Sequence, residues 1–196
     1  MSDFRYTPVS DEDKDMEIIE EKILLEQKWT LVKEKLYRDT NGKENRWSFI
    51  ERRGRRKAAV IAATTEKSGS LIIIRQFRVP FGCAIYEFPA GLIDDGESVS
   101  SAAERELLEE TGYKGHILEV SPEITSTSGL STETVYMVYM KTAEEPSQKP
   151  QLEGSEQIEV IPLAVNEFGS FLEKCEKTAA LMDAKLYMYL KGNSNS

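Results

Sequence analysis

The stretch that most restricts the fold is residues 98–112, which the sequence predicts to be one helix. Ser98 suits the position that caps a first helical turn, and Gly112 suits the left-handed position after a last one. On a helical wheel, one face starts with small apolar side chains and ends with carboxylates: Val99, Ala102, Ala103, Glu106, Glu109 and Glu110. The helix is therefore expected to pack at its start and to carry an acidic site at its end.

Three carboxylates within one helical turn repel one another and raise each other's pKa, so the arrangement is unfavourable by itself. A hard divalent cation would relieve it, because Mg²⁺ and Mn²⁺ favour carboxylate, carbonyl and water oxygens. The alternative is a solvated helix face, which is the usual role of a charge run. The residues that surround the helix favour the cation site.

The helix lies inside a longer pattern with fixed spacing. Gly91 is followed after five residues by Glu97 and after seven more by residues 105–113, which read Arg-Glu-Leu-Leu-Glu-Glu-Thr-Gly-Tyr. This pattern resembles the box that defines the Nudix hydrolases, in which every fixed letter is matched except the last. Tyr113 replaces the usual final aliphatic residue, and its ring can still fill an apolar pocket. Nine constrained positions are a far more specific signal than a short glycine-rich loop.

The resemblance extends beyond the box. Residues 76–82 and 86–97, the tryptophan-bearing hairpin and the region after the box look like the ADP-ribose pyrophosphatase branch, from about Ile18 onward. That branch implies hydrolysis of ADP-ribose, or of another nucleoside diphosphate sugar such as GDP-mannose or UDP-glucose. It usually carries a proline sixteen residues after the last glycine of the box, where this chain has Ser128. The sugar and the base therefore stay open.

The resemblance also implies a metal site. Glu106 and Glu110 would be the principal ligands of Mg²⁺, with Mn²⁺ as a substitute, while Glu109 would share a second ion and the Ala90 carbonyl would add an oxygen. Such ions neutralise a pyrophosphate and orient the attacking water. The general base is either Glu156, which matches a catalytic glutamate of related dimeric enzymes, or Glu109.

Two neighbouring box residues have expected supporting roles. Glu97 either belongs to an outer ion site or orders its loop. Arg105 is expected to be an ion-pair partner of the surrounding acids rather than a catalyst.

Six residues match substrate contacts in the resembling enzymes: Trp29, Trp47, Arg52, Arg78, Glu87 and Leu130. The two tryptophans match a pair that sandwiches the adenine, one from each subunit of a homodimer with exchanged N-terminal strands; packing within the sheet is the alternative. The arginines match phosphate or ribose contacts. The glutamate matches a polar partner of the substrate or metal shell, and the leucine lines the base pocket.

The remaining patterns predict an α+β fold, an α/β/α sandwich whose central mixed sheet is flanked by helices. An Asn41-Gly42 turn signal between two β-rich runs adds an N-terminal hairpin arm. The expected organisation is a flexible acidic tail (1–16), a dimerising hairpin arm (17–54), a Nudix domain (55–192) and a disordered tail (193–196).

The composition of the chain makes some classes of partner unfavourable. With 34 acids against 25 bases, the formal net charge of −9 disfavours binding to nucleic acid or an anionic membrane. Cys83 and Cys175 show no metal-ligand spacing, and His116 is expected at the surface. Without a basic and apolar leader pattern, the chain is expected in the cytoplasm. A non-catalytic nucleotide-sensing module is the alternative to an enzyme, although such modules commonly lose the box carboxylates that this chain keeps.

Overall fold

The computed structural model describes residues 16–152, 154 and 157–194. The chain forms two compact units. The smaller consists of the chain up to Arg56 together with Thr125–Glu133, and the larger consists of Lys57–Ile124 and the chain from Thr134 onward.

The smaller unit contains a three-stranded antiparallel sheet of β1 (Glu17–Glu26), β2 (Thr30–Arg38) and β3 (Glu44–Arg52). The predicted hairpin is present as β2 and β3, and Asp39 Oδ1 accepts hydrogen bonds from the backbone N–H groups of Asn41 and Lys43 in its turn. A short 3-10 helix, Arg53–Arg55, follows. The sequence did not predict β1 as a strand, and all ten of its residues are exposed.

The strands of the larger unit follow the chain in this order: β4 (Ala58–Thr65), β5 (Leu71–Arg78), β6 (Cys83–Glu87), β7 (Ala90–Leu92), β8 (Gly115–Val120), the boundary strand β9 (Ile124–Thr125), β10 (Thr134–Thr142), β11 (Ile158–Leu163) and β12 (Leu181–Met182). The main sheet has the order β12-β6-β5-β4-β10-β8, with β11 beside β5 and β7 beside β4. The pairs β10–β4 and β12–β6 are parallel, whereas β10–β8, β4–β5 and β5–β6 are antiparallel. The sheet is therefore mixed, as predicted.

Along the described part of the chain, three α-helices cover the sheet: α1 (Val99–Thr111), α2 (Phe168–Thr178), which follows a 3-10 turn at Val165–Glu167, and α3 (Ala184–Asn193). The central strands alternate their buried side chains between two clusters, as a strand with both faces covered should. One cluster joins the sheet to α1 through Ala102, Ala103 and Leu107. The other joins it to α2 and α3 through Phe168, Leu172, Leu186 and Leu190. The predicted α/β/α sandwich is confirmed.

The ends of α1 follow the predicted capping. The Ser98 side chain accepts a hydrogen bond from Ser101 N, and Gly112 adopts a left-handed conformation with φ of 77°. The Gly112 carbonyl then accepts hydrogen bonds from Ser147 N (2.9 Å) and Ser147 Oγ (3.1 Å). Gln151 N donates to Glu109 O at 2.7 Å. The β10–β11 connection is therefore fastened to the last turn of the helix.

Tyr113 is buried in the core cluster that contains α1, and His116 is exposed on β8. Of the two free thiols, Cys175 is buried and Cys83 is half-buried. Within the described residues, none of the helices is long and apolar enough to cross a membrane. The predicted N-terminal tail up to residue 15 and the last two residues of the chain lie outside the described residues.

Candidate active site

Two box carboxylates lie against the backbone of β7. Glu110, which is only 6% exposed, accepts a hydrogen bond from the Ala90 N–H at 2.9 Å. Glu106 lies over Gly91 so closely that a Cβ on this glycine would overlap the carboxyl carbon and both oxygens. A glycine at this position is therefore a steric requirement of the carboxylate and not of the local backbone conformation.

Arg105 links the acids of the box. Its guanidinium donates to Glu97 through two hydrogen bonds of 3.0 Å, to Glu106 at 2.7 Å and to Glu109 at 3.1 Å. It also donates to the Leu92 carbonyl at 3.1 Å. These contacts, above all those with Glu97, raise the pKa of Arg105. As predicted, Arg105 is an ion-pair partner of the acidic cluster.

Glu97 orders the loop before α1. Its Oε2 accepts a hydrogen bond from Asp94 N at 3.0 Å, and both of its oxygens accept from Arg105. Arg105, and then this backbone N–H group, hold the pKa of Glu97 below its ordinary value. Of the two roles considered for Glu97, these contacts support the loop-ordering one.

The donor chemistry of this region fits a hard divalent cation. Glu106 and Glu110 bring carboxylate oxygens to β7, and Glu109 is 43% exposed on the same turn. Across the ranges that the structure describes, no three His, Cys, Asp or Glu side chains converge as a metal cage. Mg²⁺ does not require such a cage, because it commonly binds one or two carboxylates and keeps several waters or substrate phosphate oxygens.

Arg78 and Glu87, predicted as substrate contacts, form a pair with each other on β5 and β6. Arg78 Nε and Nη2 donate to the two carboxylate oxygens at 2.7 and 2.9 Å. Such a two-pronged arrangement fixes the guanidinium plane and the carboxylate together. The structure thus joins two residues that the sequence named separately.

The two tryptophans of the smaller unit are both exposed, Trp29 by 68% and Trp47 by 52%. Neither ring is therefore buried in a core. The strand register places Trp47 opposite Lys35, whereas the Trp29 carbonyl accepts a hydrogen bond from Arg53 N. Arg53 therefore marks the position of Trp29 along the neighbouring strand, six residues from Trp47. The two tryptophans are thus about 20 Å apart along the sheet. That distance far exceeds the separation of stacked rings.

The loop of residues 126–133 carries Leu130 and borders β3 in the smaller unit. Trp47 Nε1 donates to the Gly129 carbonyl at 3.2 Å, and Leu130 is 58% exposed. Arg52 Nη2 donates to Glu133 Oε1 at 2.8 Å. Sequence reasoning missed Glu133, because the contact joins positions 81 residues apart and a single sequence gives no signal of that pairing.

The predicted site residues fall into two sets. Trp29, Trp47, Arg52 and Leu130 belong to the smaller unit, and Arg78, Glu87 and the box residues belong to the larger one. Glu156, the first candidate for the general base, lies outside the described residues.

Comparison with known proteins agrees with this fold and box. The NUDIX domain model matches residues 54–182. An ADP-sugar pyrophosphatase of Mus musculus is 36% identical over 184 residues, which cover 88% of this chain and 84% of that protein. An ADP-ribose pyrophosphatase of Saccharomyces cerevisiae is 31% identical over 194 residues, which cover 91% and 84%. The chain belongs to the Nudix hydrolase family.

A solved structure described as an ADP compounds hydrolase has the same fold. It superposes with a TM-score of 0.64 at 22% identity, covering 82% of this chain and 84% of its own. Nudix hydrolases typically use a divalent metal ion, in keeping with the oxygen donors around α1.

Proposed function

We propose that the protein hydrolyses the pyrophosphate bond of nucleoside diphosphate sugars in a Mg²⁺-dependent reaction, with ADP-ribose as the preferred substrate. The observation that carries this proposal is the placement of Glu106 and Glu110 against Ala90 and Gly91. The names of the two relatives support a substrate of the ADP-sugar class. The products from ADP-ribose would be AMP and ribose 5-phosphate.

In this proposal, Glu106, Glu110 and the Ala90 carbonyl hold the cation, and Glu109 shares a second one. Mn²⁺ would be accepted in place of Mg²⁺, since both favour oxygen ligands. When bound, the metal neutralises the diphosphate and so lowers the barrier to attack by water. Arg105 keeps the box acids in place before the ion binds, because it already bonds three of them.

The reaction adds one water across the P–O–P bridge. The water oxygen forms a bond to one phosphorus while the bridging P–O bond breaks, and the water proton passes to a carboxylate base. Glu156 and Glu109 are the two candidates for that base. Glu109 is supported by its exposure and by its position within one helical turn of Glu106 and Glu110. Glu156 is supported by the resemblance to related dimeric enzymes.

We further propose a homodimer in which each substrate pocket takes Trp29 from one subunit and Trp47 from the other. Two observations support it: the tryptophans lie about 20 Å apart along one sheet, and β1 exposes a set of large apolar side chains, Ile18, Ile19, Ile23, Leu24 and Leu25. An exposed strand of this composition is a typical association surface. Residues 17–54 would then be the dimerising arm and residues 55–192 the catalytic domain.

A related sugar nucleotide is the second candidate substrate. Ser128 replaces the proline of the ADP-ribose branch, and this favours testing GDP-mannose and UDP-glucose beside ADP-ribose. We expect a cytoplasmic enzyme that binds neither nucleic acid nor membranes, in keeping with the acidic net charge of −9.

The test is a hydrolysis assay of the purified protein with these three sugar nucleotides and diadenosine polyphosphates, with Mg²⁺ and after chelation. We expect AMP and ribose 5-phosphate from ADP-ribose and no turnover after chelation. Glu110→Gln should lower kcat by about 10²- to 10³-fold, a size typical for groups that act on the transition state. Glu104→Gln is the matched control, because Glu104 is an exposed acid on the same helix.

Three results would contradict the proposal: no cleavage of any sugar nucleotide, full activity after chelation, or full activity of Glu110→Gln. Running the reaction in ¹⁸O-labelled water would identify the attacked phosphorus, because the label appears in only one of the two products. Size-exclusion chromatography with light scattering would test the dimer.

A further inference from the structure

The loop of residues 126–133 is fixed along the edge of β3. Two backbone hydrogen bonds, of 2.9 and 3.1 Å, tie Ile50 to this loop, and Ile50 forms a parallel bridge with Ser131. Because parallel neighbours stay in register, Arg52 and Glu133 are also opposite each other, two residues further along. Arg52 Nη2 donates to Glu133 Oε1 at 2.8 Å as a result.

Glu133 is held in place independently of Arg52. Its second carboxylate oxygen accepts a hydrogen bond from Ser126 Oγ at 3.2 Å, and its backbone N–H donates to Ser131 Oγ at 3.3 Å. Ser131 Oγ in turn lies 2.5 Å from Thr127 Oγ1. The loop therefore presents a fixed negative charge beside the guanidinium.

Glu133 satisfies only part of the guanidinium. Arg52 Nε is buried and has no hydrogen-bond partner in the part of the chain that the structure describes. A buried donor of a charged group is costly to leave without an acceptor. A phosphate group can accept from two neighbouring guanidinium N–H groups at once. Because the Arg52 side chain is 41% exposed, such a phosphate can compete with Glu133 for the outer N–H groups.

A phosphate at Arg52 would also meet the charge of Glu133. Two anions that share one guanidinium lie only a few ångströms apart and repel each other. A neutral hydroxyl would experience the opposite effect, because a carboxylate accepts hydrogen bonds from hydroxyl groups. The Arg52–Glu133 pair therefore discriminates between charged and neutral ligand groups.

We propose that Glu133 is a specificity-determining residue that competes with the diphosphate of the ligand for Arg52 and thereby weakens its binding. The inference rests on the proposed function, in which Arg52 contacts the substrate. Of the two contacts considered for Arg52, it selects the phosphate and not the ribose. Glu133→Gln, which removes the charge and nearly keeps the shape, should tighten the binding of phosphorylated ligands.

The test is calorimetric titration of the full chain with ADP and with adenosine. For Glu133→Gln, we expect the Kd of ADP to fall about 3- to 10-fold, where tenfold corresponds to about 1.4 kcal/mol, and the Kd of adenosine to stay the same. Glu44→Gln is the matched control, because it removes a carboxylate from Arg38 in the same sheet and should change neither value. In an Arg52→Gln background, Glu133→Gln should lose its effect.

The inference is overturned if Glu133→Gln leaves ADP binding unchanged or weakens it, if adenosine binding tightens equally, or if neither parent nor variant binds ADP. Circular dichroism checks folding, and Glu133→Ala is the second variant, since it removes the same charge without placing an amide in the loop. ADP binding requires no turnover. A chain that obeys these expectations but hydrolyses no sugar nucleotide would therefore refute the proposed function alone.

Discussion

Glu106 occupies the space that a side chain on Gly91 would need. In Gly91→Ala the new methyl group would displace the carboxylate, because the two groups cannot occupy the same space. We expect a fall in kcat of about 10²-fold, as for other displacements of about 1 Å near a reacting group, with a loss of about 1–3 kcal/mol in the free energy of unfolding from overpacking.

Steady-state kinetics and urea denaturation measure these two effects. Gly169→Ala is the control, since Gly169 lies in α2 and a Cβ added there would meet no atom within 4 Å. Near-normal kcat in Gly91→Ala would show that the position of Glu106 is not needed for activity.

The Arg105–Glu97 pair predicts a dependence of stability on pH. The pKa of Glu97 lies below its ordinary value of 4.5, chiefly because of Arg105. Since the folded-state pKa is the lower one, this carboxylate stabilises the fold above about pH 4.5 and loses that contribution as the pH falls through the lowered pKa. Arg105→Gln should therefore make the free energy of unfolding less steeply dependent on pH below about 4.5.

Urea denaturation at a series of acidic pH values measures this dependence. Arg75→Gln breaks a longer and more exposed pair, with Glu159 at 3.4 Å, and serves as the control. Equal slopes for Arg105→Gln and the parent would mean that the pair does not contribute to acid sensitivity.

The separation of Trp29 and Trp47 predicts complementation between subunits. Each alanine variant should raise KM by about 5- to 150-fold, the equivalent of the 1–3 kcal/mol that base stacking contributes. When Trp29→Ala and Trp47→Ala chains exchange into mixed dimers, half of the dimers regain one complete pocket. About a quarter of all pockets should then bind normally.

Activity at low substrate concentration, before and after subunit exchange, measures this recovery. A sample of Trp29→Ala taken through the same exchange is the control. If mixing restores no activity while light scattering shows mixed dimers, the pocket is built within one chain.

Gly112 predicts a stability effect at the end of α1. Its φ of 77° disfavours a side chain by about 1–2 kcal/mol, and a Cβ would also overlap the Gln148 carbonyl oxygen. Gly112→Ala should therefore lower the free energy of unfolding by more than Ser147→Ala. The serine variant removes only one neutral side-chain hydrogen bond, worth about 0.5–1.5 kcal/mol. Thermal denaturation compares the two variants, and the reverse order would contradict this explanation.

Where a structural element is determined by residues close together in the sequence, local sequence patterns were sufficient to predict it. The caps Ser98 and Gly112 bound α1 as expected, and the Asn41-Gly42 turn signal lies between β2 and β3. Caps and turns depend on residues a few positions apart, so they leave a trace that is visible in a single sequence.

Other features depend on contacts that leave no such trace. β1 reads EIIEEKILLE, which has no period-2 alternation, and all its residues are exposed, so burial does not shape its pattern. The pairing of Arg52 with Glu133 follows from a parallel register between distant segments. The steric fit of Gly91 under Glu106 depends on the crossing of α1 and β7, although the box pattern had marked both positions.

The fastening of the β10–β11 connection to α1 has a consequence for biosynthesis. Gln151, which bonds the Glu109 carbonyl, lies far along the chain from the helix that it secures. At about 5–20 residues per second, a ribosome adds Gln151 about 2–8 s after Gly112. During that interval the acidic helix is complete in sequence but still lacks the segment that closes its final turn, so this turn is expected to become ordered late in the synthesis of the protein.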